Sequence, residues 1–248
     1  MKIKSCKNCV MNDNVDKFIT FNDEGICNHC TEYNKMMNAR TSSHEELVGI
    51  IDKIKFSGQN KEYDCVIGVS GGVDSSYLAY IVKKKYNLRP LAVHLDNGWN
   101  SELAVNNIEK MLKNLEIDLI TYVIDWDEFK NIQSSFLKAS VPDGEVPTDH
   151  AINALLWSEA SKRNIKYILS GMNYKTESTN VNDWSYGHSD FRYIKNIQKK
   201  YGKKAITSLP NYNFFDLFYY TFIKNIRQVA ILNYENYDNE LAMKVCKR

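Results

Sequence analysis

The apolar run Asp64-Cys-Val-Ile-Gly-Val69 passes directly into Ser70-Gly-Gly-Val-Asp-Ser-Ser76, and a helical pattern starts near Tyr77. A compact apolar run of this kind reads as a strand buried on both faces of a parallel sheet. A glycine-rich turn between such a strand and a helix is a phosphate-loop position. Two consecutive glycines let the backbone pass close to an anion, and the helix N-terminus adds unpaired N–H groups and a partial positive charge. Ser70, Ser75 and Ser76 add hydroxyl donors. No lysine follows the glycines, so the loop is not G-x-x-x-x-G-K-[ST], and G-x-G-x-x-G is absent as well. Kinase-like and dehydrogenase readings therefore fall away. The bland alternative is a strand-to-helix turn with an ordinary N-cap, which needs no string this specific.

The surrounding pattern repeats the unit. Leu47, Ile50, Ile51 and Ile54 recur at helical spacing and stop at Ser57-Gly58. Helices are expected over Tyr77 to Lys85, Glu102 to Asn114, Phe129 to Lys138 and Ala151 to Lys162, with strands over Pro90 to Leu95, Leu119 to Ile124 and Tyr167 to Ser170. The order βαβαβ implies an α/β fold with a parallel sheet and right-handed crossovers. Cys65 belongs to the first strand and to the core. A chain of 248 residues, 44% of them hydrophobic, closes one such core plus a small appendage. Lys plus Arg number 32 and Asp plus Glu 30, a formal charge of +2, so bulk charge gives no reason to expect nucleic acid. No stretch approaches the ~20 uncharged apolar residues of a membrane span, and the N-terminus lacks the apolar run of a secretory signal. A cytoplasmic protein without a membrane span is expected.

The appendage is the first 35 residues, where Cys6-Lys-Asn-Cys9 and Cys27-Asn-His-Cys30 place two thiolates on each of two tight turns. In a reducing compartment this spacing reads as metal and not as disulfide; the competing reading is a redox dithiol. The 17 residues between the pairs can fold back so that four sulfurs surround one tetrahedral ion, for which zinc is the expected occupant. Four sulfurs leave no open coordination position, so the zinc is structural. His29 lies inside the second turn, but the four cysteines already complete the shell. Thr31 to Ser43 is polar, lacks apolar periodicity and reads as a linker.

The string Ser70-Gly-Gly-Val-Asp-Ser75 resembles the signature S-G-G-x-D-S of the PP-loop ATP pyrophosphatases. That resemblance implies a Rossmann-like fold of adenine-nucleotide α-hydrolase type over residues 44–248, preceded by the zinc ribbon over residues 1–35. It implies that ATP is split between its α- and β-phosphates while a substrate oxygen is adenylated. Ser70, Gly71, Gly72, Val73, Asp74 and Ser75 would then hold pyrophosphate, with Asp74 the partner of Mg²⁺. Val93-His-Leu-Asp-Asn97 resembles the strand whose main chain, at Val93 and Leu95, reads adenine; His94 itself is more simply a packed strand residue.

The cysteine ribbon, Pro147-Thr-Asp-His-Ala-Ile152 and the late Leu232-Asn-Tyr-Glu-Asn-Tyr-Asp238 together resemble the N-acetyl sugar amidotransferases of bacterial surface-polysaccharide (lipopolysaccharide, O-antigen) biosynthesis. This implies conversion of an acetamido group on a nucleotide-linked sugar into an acetamidino group, with ammonia delivered by a separate glutaminase subunit. Asp149 and His150, read as starting a helix at the C-terminal edge of the sheet, join Asp74 and Ser75 as candidate catalytic residues. Asp149 is equally readable as a helix cap. Gly171, Asn173 and Glu177, in and after the loop Ser170-Gly-Met-Asn173, are candidates for nucleotide, magnesium or sugar contacts, against ordinary loop polarity.

Between Phe191 and Asn213 the chain carries Arg192, Lys195, Lys199, Lys200, Lys203 and Lys204 without one acidic residue, a solvated helix face or a grip on a diphosphate. From about residue 185 the chain is aromatic-rich and expected to be helical, and Phe214 to Ile231 reads as a core helix or a subunit contact in a homo-oligomer. Relatives in the resembled family continue well beyond the late segment, which leaves open whether the sugar pocket is complete within these residues. The runner-up reading is a tRNA-thiolating PP-loop enzyme. A non-catalytic adaptor with a vestigial loop is the third.

Overall fold

The computed structural model describes residues 3–39, 44–177, 187–235 and 237–246. After the cysteine turns come α1 (Asn28–Ala39), α2 (His44–Gly58), β1 (Cys65–Gly68), α3 (Val73–Tyr80, continued as a π turn Ile81–Lys85) and β2 (Pro90–Asp96). Then follow α4 (Glu102–Leu115), β3 (Asp118–Val123), α5 (Trp126–Ala139), α6 (Val146–Lys162), β4 (Tyr167–Ser170) and α7 (Tyr174–Glu177). The chain continues with α8 (Phe191–Tyr201), α9 (Phe214–Phe218, continued as a π turn Tyr219–Ile223), β5 (Arg227–Ala230), a 3₁₀ turn Ile231–Asn233 and α10 (Asn239–Cys246).

The strands form one parallel sheet in the order β3-β2-β1-β4-β5. Alternation along β1 sorts the core. Cys65, Ile67 and Val69 pack with α2, α3, α4 and the C-terminal segment, whereas Val66, with Leu91, Val93, Leu95 and Ile168, packs against α5, α6 and α8. The strand order reverses between β1 and β4, the crevice in which open α/β sheets bind ligands. The loops that leave β1 and β4 at this point are Ser70–Gly72 and Gly171–Asn173.

Four expectations are corrected. Thr31 to Ser43 is not simply a linker, because α1 grows from the second cysteine turn, where both the amide and the hydroxyl of Thr31 donate to the Cys27 carbonyl; the cysteine turn nucleates a helix that has no apolar stripe. α3 begins at Val73, four residues before Tyr77, because the loop itself supplies the first turn. α6 begins at Val146 with Pro147 in its first turn, so Asp149 is not its N-cap. The segment Phe214 to Ile231 is a helix followed by an edge strand: β5 is short and starts with exposed Arg227 and Gln228, too polar for a strand signal.

One buried carboxylate fixes the far side of α5. Glu128 accepts from the Thr207 amide (2.8 Å) and hydroxyl (2.5 Å), the Ser208 amide and the Leu209 amide (2.8 Å). Burial alone would raise its pKa, but these donors outweigh burial and hold it below the ordinary value. A depressed folded-state pKa means that the stabilisation is complete above the unfolded value near ~4.3 and is lost as pH falls through the folded value. Glu128→Gln is expected to cost about 2–3 kcal/mol at neutral pH, with the gap to the parent narrowing in acid; denaturant titrations across pH check this.

Candidate functional site

The phosphate-type loop is built by its own hydroxyls. The Ser70 amide donates to Ser75 Oγ (3.2 Å), Ser70 Oγ and Ser75 Oγ lie 3.2 Å apart, and the Ser76 hydroxyl donates to the Gly72 carbonyl (2.8 Å). Gly71 has φ +75°, and a Cβ there would lie 2.7 Å from the Ala104 carbonyl oxygen of α4, so both conformation and space require glycine. Gly72 is the N-cap of α3 with ordinary extended angles, and a Cβ would meet only Ser70 Oγ at 3.4 Å. The first turn of α3, carrying Val73, Asp74 and Ser75, thus opens toward the crevice beside β4. Gly171 closes its other wall: a Cβ there would stand 3.3 Å from the Asp74 carbonyl. Asn173 is buried next to it.

Asp74 accepts a hydrogen bond from the hydroxyl of Tyr237, whose ring packs 5.6 Å from that of Tyr77. Tyr237 belongs to the late segment quoted above, and its neighbours are tied down too. Asn233 Oδ1 accepts from the Tyr174 amide (2.9 Å), Lys175 Nζ donates to the Tyr237 carbonyl (3.0 Å), and Glu235 takes Lys85 (2.7 Å) and the Tyr86 hydroxyl. Tyr33 of α1 in turn donates to the Lys175 carbonyl (3.2 Å), linking the cysteine module to this edge. Asn233, Glu235 and Tyr237 were not singled out from sequence. The signal available was their alternation with Leu232 and Tyr234, but nothing local says which loop they meet. The side chains of Thr176 and Glu177, and all of Asn236, lie outside the described residues.

On β2, Val93 and Leu95 are buried with side chains in the α5–α6 core, and the Val93 carbonyl accepts the Val69 amide (3.0 Å). His94 is a packed strand residue: Nδ1–H donates to the Val69 carbonyl (2.8 Å) and Nε2 accepts from Asn100 Nδ2 (3.4 Å). It therefore steadies the residue preceding the loop.

Asp149 and His150 separate. Asp149 is half-exposed and lies with Asp143 3.3 Å from His188 Nε2; burial, with repulsion from Asp143 and Glu145, raises its pKa against the pull of His188. His150 is fully buried, stacked between Phe191 and Tyr212 (ring centroids 5.3 and 4.5 Å). Its Nδ1–H donates to the His188 carbonyl (2.7 Å) and its Nε2 accepts the Tyr212 amide (3.3 Å). Burial lowers its pKa, so the ring is neutral, and both nitrogens are engaged. This geometry fits a residue that positions His188 and Tyr212 rather than one that touches substrate. Arg192, Lys195, Lys199 and Lys200 lie on the exposed face of α8, with Lys203 and Lys204 exposed just beyond it, while Phe191, Ile194 and Gln198 face inward.

The four thiols of Cys6, Cys9, Cys27 and Cys30 lie within 4.8 Å of one another. The Asn8 and Cys27 amides donate to Cys6 Sγ (3.3 and 3.2 Å), and the Cys30 amide reaches Cys27 Sγ at 3.5 Å. Burial opposes ionisation of Cys6, yet these amides bring its pKa down to about 6; burial pushes Cys9 up to about 12. Four sulfurs held this close together fit a divalent cation, whose charge favours the thiolate forms. His29 is engaged by Asp16 (2.7 Å) and stands outside the set. One zinc per chain is expected by metal analysis, and Cys27→Ser is expected to remove it and to loosen α1; unchanged metal content would refute the assignment.

Residues 45–209 match the NAD synthase family. An uncharacterized protein of Methanocaldococcus jannaschii is 26% identical over 212 residues, 84% of this chain and 68% of that protein. The tRNA-specific 2-thiouridylase of Mycoplasmopsis synoviae is 27% identical over 62% of this chain, which spans 47% of it. The glutamine-hydrolyzing GMP synthase of Pyrobaculum aerophilum is 27% identical over 52% of this chain, which spans 25% of it.

Proposed function

The chain belongs to the NAD synthase family of PP-loop ATP pyrophosphatases, and from that premise we propose that it is an ATP-dependent amidotransferase acting on a nucleotide-linked N-acetyl sugar. The acetamido oxygen attacks the α-phosphorus of ATP, the bond to the β-phosphate breaks, and pyrophosphate leaves. Ammonia then adds to the imidate carbon, AMP departs with the former amide oxygen, and proton loss yields the acetamidine. An amide oxygen is a poor leaving group, and adenylation turns it into a phosphate ester that leaves readily.

In this reading Ser70, Gly71, Gly72, Val73 and Ser75 hold the pyrophosphate and Asp74 accompanies the Mg²⁺ that ATP carries, a lone carboxylate of the kind that suits such an ion. The Val93–Leu95 main chain reads adenine, Gly171 and Asn173 take the opposite wall, and Glu177 is a further candidate contact for nucleotide, magnesium or sugar. The chain's task is mainly orientation and charge neutralisation. Residues 1–35 form the zinc module and 44–248 the catalytic part. Ammonia comes from a glutaminase subunit; the related GMP synthase hydrolyses glutamine.

The observation that carries this reading over tRNA thiolation concerns sulfur. Among the described side chains, Cys6, Cys9, Cys27 and Cys30 form one cluster and Cys65 is fully buried in β1 with its thiol pushed far up by burial, so none of these is a reactive thiol at the loop; the side chain of Cys246 lies outside the described residues. ATP–pyrophosphate exchange measured with and without a nucleotide-linked N-acetyl sugar tests the proposal. Exchange that requires the sugar supports it. AMP release that requires tRNA and a sulfur donor establishes the thiolating alternative instead.

A further inference from the structure

A cavity of about 540 Å³ lies on the α2 face of the sheet at its β5 edge, a volume ordinary for a small-molecule site. Its floor is Tyr167, Arg227 and Val229. These share a face because β4 and β5 run in parallel register, Tyr167 beside Arg227 and Leu169 beside Val229. One wall is Glu46, Ile50 and Lys53, spaced by four and three residues and so aligned along α2, next to the buried stripe Leu47, Ile51 and Ile54. Tyr174, Asn233 and Tyr234 complete the lining.

The two ends of the cavity differ in charge. α2 leads down to Gly58, whose carbonyl accepts from the Arg89 guanidinium (2.8 Å), which also grips Asp64 (2.6 Å) just ahead of β1. Lys53 therefore lies toward the N-terminal end of the strands, where Tyr167 opens β4 and Arg227 opens β5. Among the described residues neither the Lys53 ammonium nor the Arg227 guanidinium has a hydrogen-bond or ion-pair partner. Glu46 stands two helical turns away at the other end and has a partner of its own. At that end Ala230 pairs with Ser170, the residue before Gly171, so the cavity rises to the level of the crevice wall. Three strand steps, about 10 Å, thus separate the unpaired cations from the crevice level.

We propose that this cavity binds a nucleoside diphosphate as an effector, with the phosphates on Lys53 and Arg227 and the base against Tyr174 and Tyr234. A guanidinium offers a planar fork that matches phosphate oxygens, and stacking on an aromatic ring accepts any base. The orientation separates such an occupant from a substrate: its phosphates lie at the end away from the crevice, and whatever they carry points away from Asp74. What reaches the crevice is the lining itself. Tyr174 follows Asn173 of the crevice wall, its amide donates to Asn233 Oδ1 (2.9 Å), and Asn233 and Tyr234 lead to the Tyr237 whose hydroxyl donates to Asp74. An occupant seated against Tyr174 and Tyr234 steadies both the wall and the tether of Asp74, so ATP binds more tightly with it than without it. The inference rests on the assignment of the loop to ATP and is independent of the acceptor that is amidated.

Calorimetry of UDP binding to the full chain tests this. One site per chain is expected in the parent, and it is expected to persist in Gly72→Val, in which valine blocks the loop. Lys53→Ala/Arg227→Ala is expected to weaken UDP at least ~10-fold and to leave the affinity for ATP alone as in the parent. Both side chains are exposed, so the fold should be kept; if that variant fails to fold, Arg227→Gln is read in its place. Inorganic pyrophosphate, which has no ring to stack, is expected to bind at least ~10-fold more weakly than UDP. UDP is expected to tighten ATP about 5-fold or more in the parent and not in the double variant. The inference is overturned if UDP does not bind the parent, if its binding is lost in Gly72→Val and kept in the double variant, if pyrophosphate matches it, or if it leaves ATP affinity unchanged or weaker. ATP that fails to bind the parent refutes the loop assignment instead, and the UDP measurements still decide the cavity.

Discussion

Gly72→Val is expected to remove ATP binding from a protein that still folds. The backbone at Gly72 sits at φ −77°, ψ 166°, open to any residue, and a Cβ there meets only Ser70 Oγ at 3.4 Å. The branched methyls, however, stand over the first N–H groups of α3, where a phosphate must approach within hydrogen-bond distance. A loss of at least ~100-fold in affinity, about 2.7 kcal/mol, is expected by calorimetry, with a thermal midpoint within a few degrees of the parent. Gly71→Ala should behave in the opposite way. Its φ of +75° and the 2.7 Å approach to the Ala104 carbonyl force α4 away from the loop, at a cost of about 2–4 kcal/mol of stability. The pair separates a glycine that the fold itself requires, Gly71, from one that the fold tolerates replacing, Gly72. Normal ATP affinity in folded Gly72→Val would show that the phosphates bind elsewhere.

What the sequence revealed and what it hid follow from how far each signal reaches. The strand before the loop, the loop itself and the parallel alternation are local patterns: Cys65, Val66 and Ile67 announce a strand buried on both sides before any partner is known. The cysteine pairs are equally legible, because two turns of fixed span leave little freedom in where four sulfurs can meet. The contacts that finish the site are non-local. Tyr237 meets Asp74 across 163 positions, and neither residue carries a mark of the other. His150 misled for the reverse reason. A histidine beside an aspartate at the crevice edge looks chemical, and only the stacking of Phe191 and Tyr212, from distant elements, encloses it. β5 carries no strand signal because an edge strand has one neighbour and tolerates Arg227 and Gln228.

Asp74→Asn is expected to lower AMP formation by about 100-fold or more while moving stability by less than ~1 kcal/mol. Asp74 lies in the first turn of α3, and losing its charge there removes only a helix-dipole contribution of about 0.3–1 kcal/mol. Asparagine keeps an oxygen that can accept the Tyr237 hydroxyl, so the link between α3 and the C-terminal segment survives. What asparagine loses is the negative charge that a phosphate-bound Mg²⁺ requires, and neutralising departing pyrophosphate is worth several kcal/mol. Tyr237→Phe makes the complementary cut: it leaves the carboxylate and the ring against Tyr77 and removes only the donor, about 1 kcal/mol, so the rate should fall less than ~10-fold. If both variants slow the reaction equally, Asp74 acts as a tether for the C-terminal segment and not as a charge. Product identity decides the larger question in the same assay, since a loop without a lysine after its glycines suits loss of pyrophosphate rather than γ-phosphoryl transfer. AMP with pyrophosphate is the expected outcome, and ADP would overturn the reaction proposed for this site.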